Sequence, residues 1–100
     1  MLWAISCIDK PNTASIRDEF VKPHREYLQS QKSILVLAGA TQNDTGSEAI
    51  GSLFILNVNS RADAKSFSDG DPFTKAGIFA SVTVTRMRKG QWNPEAAEGA

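Results

Sequence analysis

Asp71-Pro72-Phe73-Thr74-Lys75-Ala76-Gly77 reads as a compact knuckle, and Ile78 to Met87 continue from it as an apolar and then alternating run. Proline suits the first position of a helical turn because its missing N–H is not needed there. Asp71 can cap that turn with its carboxylate, and Gly77 can leave it through the left-handed region. The knuckle therefore feeds a last strand. An aspartate at such a mouth is either only a cap or half of a site.

In the last strand, Phe79, Ser81, Thr83 and Thr85 face one way while Ala80, Val82, Val84 and Arg86 face the other, so one face is half exposed. Before the knuckle, Ser60 and Asp63 form a capping box that opens a helix through Ala62, Ala64 and Phe67, closed by Ser68-Asp69-Gly70. Ile50 to Val58 and Ile34 to Ala40 read as strands, joined by a polar loop, Thr41 to Ala49, that can cover a cleft. Leu2 to Ile8 is a short apolar run closed by the turn formers Asp9-Lys10-Pro11-Asn12, which predicts a central strand.

The segment between the first two strands has two solutions. Ser15 to Asp18 forms a possible capping box with Phe20 as its apolar anchor, and Pro23 follows where a continuous helix would lose a hydrogen bond. Either a kinked helix runs from Ser15 to Lys32, or a short turn at Ser15 to Phe20 precedes a main helix starting at Pro23. The tolerance of proline at a first helical position favours the second.

The order is then βαββαβ, which right-handed crossovers turn into an α+β, ferredoxin-like, four-stranded antiparallel sheet with both helices on one face. Trp3, Ile5, Cys7, Leu35, Leu37, Leu53 and Ile55 supply more apolar surface than one helical layer needs. A second copy placed sheet to sheet, a two-fold homodimer, would cover the rest. One hundred residues make a single domain, expected to bury about two thirds of its unfolded surface. That domain is read as 1–88, with 89–100 a tail expected to be poorly ordered.

Eleven basic and eleven acidic residues cancel, which speaks against a phosphate-backbone binder and so against nucleic acid. Cys7 is the only cysteine, so a disulfide framework is excluded and a reducing, cytoplasmic setting is favoured. Met1 to Ile8 lacks a basic n-region and no apolar run approaches membrane-spanning length, so neither export nor membrane insertion is expected. One histidine, one cysteine and scattered carboxylates show no metal-ligand spacing, and the glycines form no phosphate loop or dinucleotide fingerprint.

His24 is the only histidine. A helix starting at Pro23 would place it in the first turn, where the dipole disfavours a proton on the ring; an aspartate bonded to the other ring nitrogen would act oppositely and fix the tautomer. His24 is either a boundary residue or a general base. Arg17 can supply positive charge to an anionic ligand, and Phe20 and Tyr27 are either core or pocket wall.

These residues together resemble the YCII-related family of small ferredoxin-like proteins. The resemblance covers residues 2 to 88 and rests on Leu2-Trp3-Ala4-Ile5, Asp9-Lys10, Arg17, Pro23-His24, Leu28, Leu37 to Ala40, Gly51-Ser52, Ala64, Phe67 and the knuckle from Asp71 to Phe79. It implies a dimeric α/β barrel akin to the muconolactone isomerases, with a pocket in each subunit and a histidine–aspartate dyad. The dyad maps to His24 and Asp71, and Phe73 becomes the aromatic residue of the knuckle that contacts ligand beside Arg17, Phe20 and Tyr27. An aromatic-ring dehydrochlorinase belongs to the same superfamily. The loop from Thr41 to Ala49 and the ending Arg86-Met87-Arg88-Lys89 depart from the family pattern.

The function expected from this reading is an enzyme without a bound cofactor that uses His24 and Asp71 for proton transfer on a small anionic or phenolic metabolite. Isomerisation, lactone chemistry and elimination are all compatible. The alternative is a non-catalytic dimer that binds a small metabolite or modulates another protein. A close contact between His24 and Asp71 beside an apolar pocket distinguishes the first from the second.

Overall fold

The computed structural model describes residues 1–100. The elements follow in the order β1 (Leu2–Asp9), α1 (Ala14–Ser30), β2 (Leu35–Gln42), β3 (Ala49–Asn57), α2 (Arg61–Gly70), α3 (Pro72–Lys75) and β4 (Phe79–Met87). A single 3-10 turn, Pro94–Ala97, lies in the exposed C-terminal segment. The strands form one antiparallel sheet in the order β2-β3-β1-β4. The central strands β1 and β3 supply the buried side chains Trp3, Ile5, Cys7, Phe54 and Leu56, which alternate with more exposed residues on the other face.

The sheet is open. Strands β2 and β4 are its opposite edges, separated by three strand spacings, or about 14 Å. No hydrogen bonds can close that gap, so the barrel expected from the family resemblance is not what this chain forms. The ferredoxin-like arrangement, with its helices on one face, does hold.

Register assigns the faces. Cys7 pairs with Ser52 and Val82, Ile5 with Phe54 and Val84, and Trp3 with Leu56 and Arg86, and paired residues share a face. That face meets the helices: Trp3, Ile5, Cys7, Phe54, Leu56, Ala64 and Phe67 form the buried core, with Tyr27 and Leu28 of α1 packed against it. Trp3, Ile5 and Cys7 therefore do not belong to the uncovered side. The uncovered side carries Ile8, Leu37, Leu53, Ile55 and Met87, diluted by Ser6, Thr83 and Thr85.

Helix α1 is continuous, and it does not restart at Pro23. Proline removes the N–H that would bond the Glu19 carbonyl, but both Glu19 and Pro23 are exposed, so water can take that role. The packed side of the helix holds its geometry. The capping box at Ser15 to Asp18 is also not made: the Thr13 carbonyl already accepts from Arg17 N at 2.9 Å, which puts Ser15 inside the helix. Thr13 Oγ1 turns back to donate to the Lys10 carbonyl at 2.8 Å. At α2 the expected cap is present, with Asp63 N donating to Ser60 Oγ at 3.1 Å.

The loop between β2 and β3 is a self-braced turn. Asn43 Oδ1 accepts from the backbone N–H groups of Ser47 and Glu48 at 3.0 and 3.3 Å. Asn43 N donates to the Glu48 carbonyl at 3.0 Å. The knuckle has the expected form: Asp71 Oδ1 accepts from Phe73 N at 2.9 Å, Pro72 opens α3, and Gly77 exits at φ +74°.

Cys7 is buried, and that burial, reinforced by the charges of Asp71 and Asp9, pushes its thiol up from 9.0 to about 12. Iodoacetamide at pH 8 should therefore label Cys7 in urea-unfolded protein and leave the folded chain unlabelled over the same interval, as read by mass spectrometry; equal labelling would place the thiol at the surface. Gly51 supplies a second test. A Cβ there would meet the Cys7 carbonyl oxygen at 2.2 Å and Thr41 Oγ1 at 2.6 Å, whereas one at Gly39 meets nothing within 4 Å. In urea titrations Gly51→Ala is expected to lose about 1–3 kcal/mol or more, and Gly39→Ala to stay close to the parent.

Candidate active site

One face of α1 presents Arg17, Val21, His24 and Leu28, spaced as successive turns of a helix. With Ser52 and Phe54 on β3, Ala38 to Ala40 on β2, and Phe73 of the knuckle, they line a cleft of about 360 Å³. The side chains on β2 are small, and β2 is an edge strand, so the cleft opens there. Asp18 and Arg25 add exposed charges at its rim.

At one end His24 Nδ1 lies 2.7 Å from Asp71 Oδ1. Only 1% of Asp71 is exposed, and the oxygen that meets His24 also accepts from the Phe73 N–H. An ionised carboxylate can only accept, so the proton of this contact belongs to Nδ1, and the free lone pair of the neutral ring is on Nε2. His24 Nε2 makes no protein hydrogen bond and keeps contact with solvent. Asp71 is thus a cap and a histidine partner through one atom. Its other oxygen, Oδ2, is buried with no protein partner.

The His24 ring is held on its faces as well. It stacks on Phe73 with centroids 3.8 Å apart and planes 7° from parallel, and it meets Phe54 edge-on at 6.3 Å. His24 sits in the middle of α1, not in a first turn, so the helix-terminus contribution expected from the sequence does not apply. Its partner is the knuckle.

At the other end Arg17 Nε donates to Asp9 Oδ2 at 2.6 Å. Its Nη2 reaches Asp9 Oδ1 at 3.1 Å, the Gly51 carbonyl at 2.7 Å and Ser52 Oγ at 2.9 Å. The guanidinium carbon lies 4.9 Å from the centre of the Phe73 ring, so Phe73 touches both Arg17 and His24. Nη1 makes no protein hydrogen bond and keeps contact with solvent.

Of the residues singled out from the sequence, His24, Asp71, Phe73 and Arg17 meet at this cleft. Phe20 and Tyr27 are not among its lining residues. Tyr27 donates its hydroxyl to the Phe67 carbonyl at 2.8 Å, and burial, followed by the charge of Asp71, raises its pKa above the usual tyrosine value. Along the chain Asp9 reads only as a turn former and Ser52 only as a residue of the third strand. No periodic signal marks either as a partner of Arg17, because they reach it from β1 and β3 only in the folded chain.

A larger hollow of about 960 Å³ lies on the uncovered sheet face beside Trp92, but no carboxylate or histidine lines it. No group of three or more His, Cys, Asp or Glu side chains converges anywhere in the chain. No helix is long and apolar enough to cross a membrane.

No curated protein sequence matches the chain. Among solved structures it is similar to 5-chloro-2-hydroxyhydroquinone dehydrochlorinase (TftG) from Burkholderia phenoliruptrix AC1100, determined in complex with 2,5-dihydroxybenzoquinone. The two are 34% identical, with a TM-score of 0.84, over 90% of this chain and 96% of that one. An antibiotic biosynthesis monooxygenase is similar at 18% identity and a TM-score of 0.53, over 88% and 97% of the two chains, which is a likeness of fold alone. The model of the YCII-related domain matches residues 1–88. With that match, the 34% identity and the βαββαβ order, the chain belongs to the YCII-related family.

Proposed function

We propose that this chain is an acid–base enzyme whose His24–Asp71 dyad moves a proton on a small hydroxylated aromatic or quinonoid compound. The observation that carries the reading is the 2.7 Å bond that fixes the His24 tautomer while Nε2 remains free. Nε2 accepts the proton, and the buried Asp71 carboxylate stabilises the imidazolium that results. Asp71 needs no proton of its own for this, because the His24 ring holds it between two half-reactions.

The cleft fits such a ring. Its volume of about 360 Å³ lies in the lower part of the range of small-molecule sites. Val21, Leu28, Phe54 and Phe73 supply apolar wall, and Arg17 supplies positive charge for an ionised oxygen. The 34% identical relative is named for the dehydrochlorination of a hydroxylated ring. A dehydrochlorination is a net loss of HCl: the base takes a proton, the electron pair it leaves forms a new π bond, and chloride departs with the C–Cl pair. No outside oxidant enters that balance, and the group the protein must provide is the base.

Chlorinated hydroxyhydroquinones are the substrates to try, with chloride release as the readout and 2,5-dihydroxybenzoquinone as a binding probe. His24→Ala is expected to lower kcat by roughly 10²- to 10⁴-fold, and Asp71→Asn to act in the same direction, with circular dichroism reporting the fold. Chloride release unchanged in His24→Ala would remove the dyad from the chemistry. Ring binding without turnover of any chlorinated ring would instead favour a metabolite-binding protein.

The same reading includes a homodimer formed through the uncovered sheet face. Ile8, Leu37, Leu53 and Met87 are 60%, 57%, 37% and 39% exposed there, which is costly for a contiguous apolar surface left in water. Light scattering is expected to return about twice the chain mass of 10.8 kDa, and Leu37→Lys with Leu53→Lys to return the single chain. A parent protein that stays single at all concentrations would rule the dimer out.

A further inference from the structure

We propose that Ser52 is a binding residue of this cleft, the hydrogen-bond donor that selects a ligand carrying an ionised ring oxygen. The inference rests on the acid–base reading of His24 and adds the residue that recognises the ligand's ionised oxygen and so sets its orientation. Ser52 is 3% exposed, lies on the helix-facing side of β3 opposite Cys7, and lines the cleft. Its Oγ accepts from Arg17 Nη2 at 2.9 Å and donates to no protein atom. A buried hydroxyl that accepts from a cation and leaves its own proton unshared is a polarised donor: the charge on the guanidinium draws electron density from the oxygen and makes the remaining O–H a stronger hydrogen-bond donor.

Arg17 cannot play this part alone. Its Nε and Nη2 are committed to Asp9, the Gly51 carbonyl and Ser52, which leaves only Nη1 facing solvent. The Asp9 carboxylate also neutralises much of its charge. What the cleft offers at this end is a pair of directed donors, Ser52 O–H and Arg17 Nη1, on a rigid frame spanning β1, β3 and α1. Charge-assisted bonds of this kind favour a phenolate or enolate oxygen over an ether or ketone oxygen.

The base stands at the other end. Residues 17 and 24 are seven apart on one helix, about 10 Å of rise, and Phe73 touches both side chains, so the two ends flank one apolar floor. A flat ring with an acidic hydroxyl fits this arrangement: its oxyanion meets Ser52 and Arg17, and its reacting position lies toward Nε2. Ser52 thereby sets which rings bind and in which direction.

The test compares two coloured rings, 2,5-dihydroxybenzoquinone and 2,5-dimethoxybenzoquinone, by titration against the parent protein, Ser52→Ala, Ser52→Thr and His24→Ala. The parent is expected to prefer the dihydroxy ring. Ser52→Ala should weaken it by about ten- to a hundredfold, leave the dimethoxy ring unchanged, and so erase the preference, while Ser52→Thr retains it. Where Ser52→Ala fails to fold, Ser52→Cys, nearly the same size and a poor donor, carries the same expectation. Equal affinity of parent and Ser52→Ala for the dihydroxy ring overturns the Ser52 assignment and leaves the dyad standing if chloride release still depends on His24. A parent that binds neither ring overturns both readings.

Discussion

The structure turns on one oxygen. Asp71 Oδ1 accepts from the Phe73 N–H, which starts the knuckle, and from His24 Nδ1, which ties α1 to it across 47 residues of sequence. Fold and site therefore share an atom. A carboxylate buried to this degree is tolerable only when its charge is met by donors, and the two donors it has are the two that give the knuckle its turn and the histidine its tautomer. The Phe73 ring stacked on His24 and the bond to Asp71 together hold the imidazole by one face and one edge.

The opposite end of the cleft repeats the principle with the signs exchanged. Arg17 is a cation held by a carboxylate, a backbone carbonyl and a hydroxyl, drawn from β1 and β3. The Gly51 carbonyl is within its reach because β3 approaches β1 closely at a residue without a Cβ. Between the two charged ends the cleft is apolar, and its outer wall is built from the small residues Ala38, Gly39 and Ala40. Polar groups fixed at both ends of an apolar slot give orientation, while the slot itself supplies hydrophobic contact.

The two faces of the sheet have separate tasks. The helix-facing side contains the core and the cleft, and its two buried ionic contacts are Arg17 with Asp9 and His24 with Asp71. The other side is a mixture of apolar and hydroxyl side chains, with the C-terminal segment running alongside at Trp92. Because side chains alternate along a strand, β1 and β3 can serve both tasks residue by residue without compromise.

The sequence by itself determined the elements: four strands, two helices and the capped knuckle follow from alternation, capping residues, proline and glycine, all of which act within a few residues. It also marked His24 and Asp71, although only as alternatives, since a cap and a site partner look the same along the chain. Tertiary structure decided the rest. Pro23 does not break α1 because its exposed side can give a carbonyl to water while its buried side is held, and burial is a property of packing rather than of local propensity. The open sheet follows from strand order, which separates the edges β2 and β4 by two intervening strands. Ser52 and Asp9 gained their places only when β3 and β1 were brought under Arg17, because hydrogen bonds between different elements, here 35 and 8 residues apart, leave no periodic trace in the sequence.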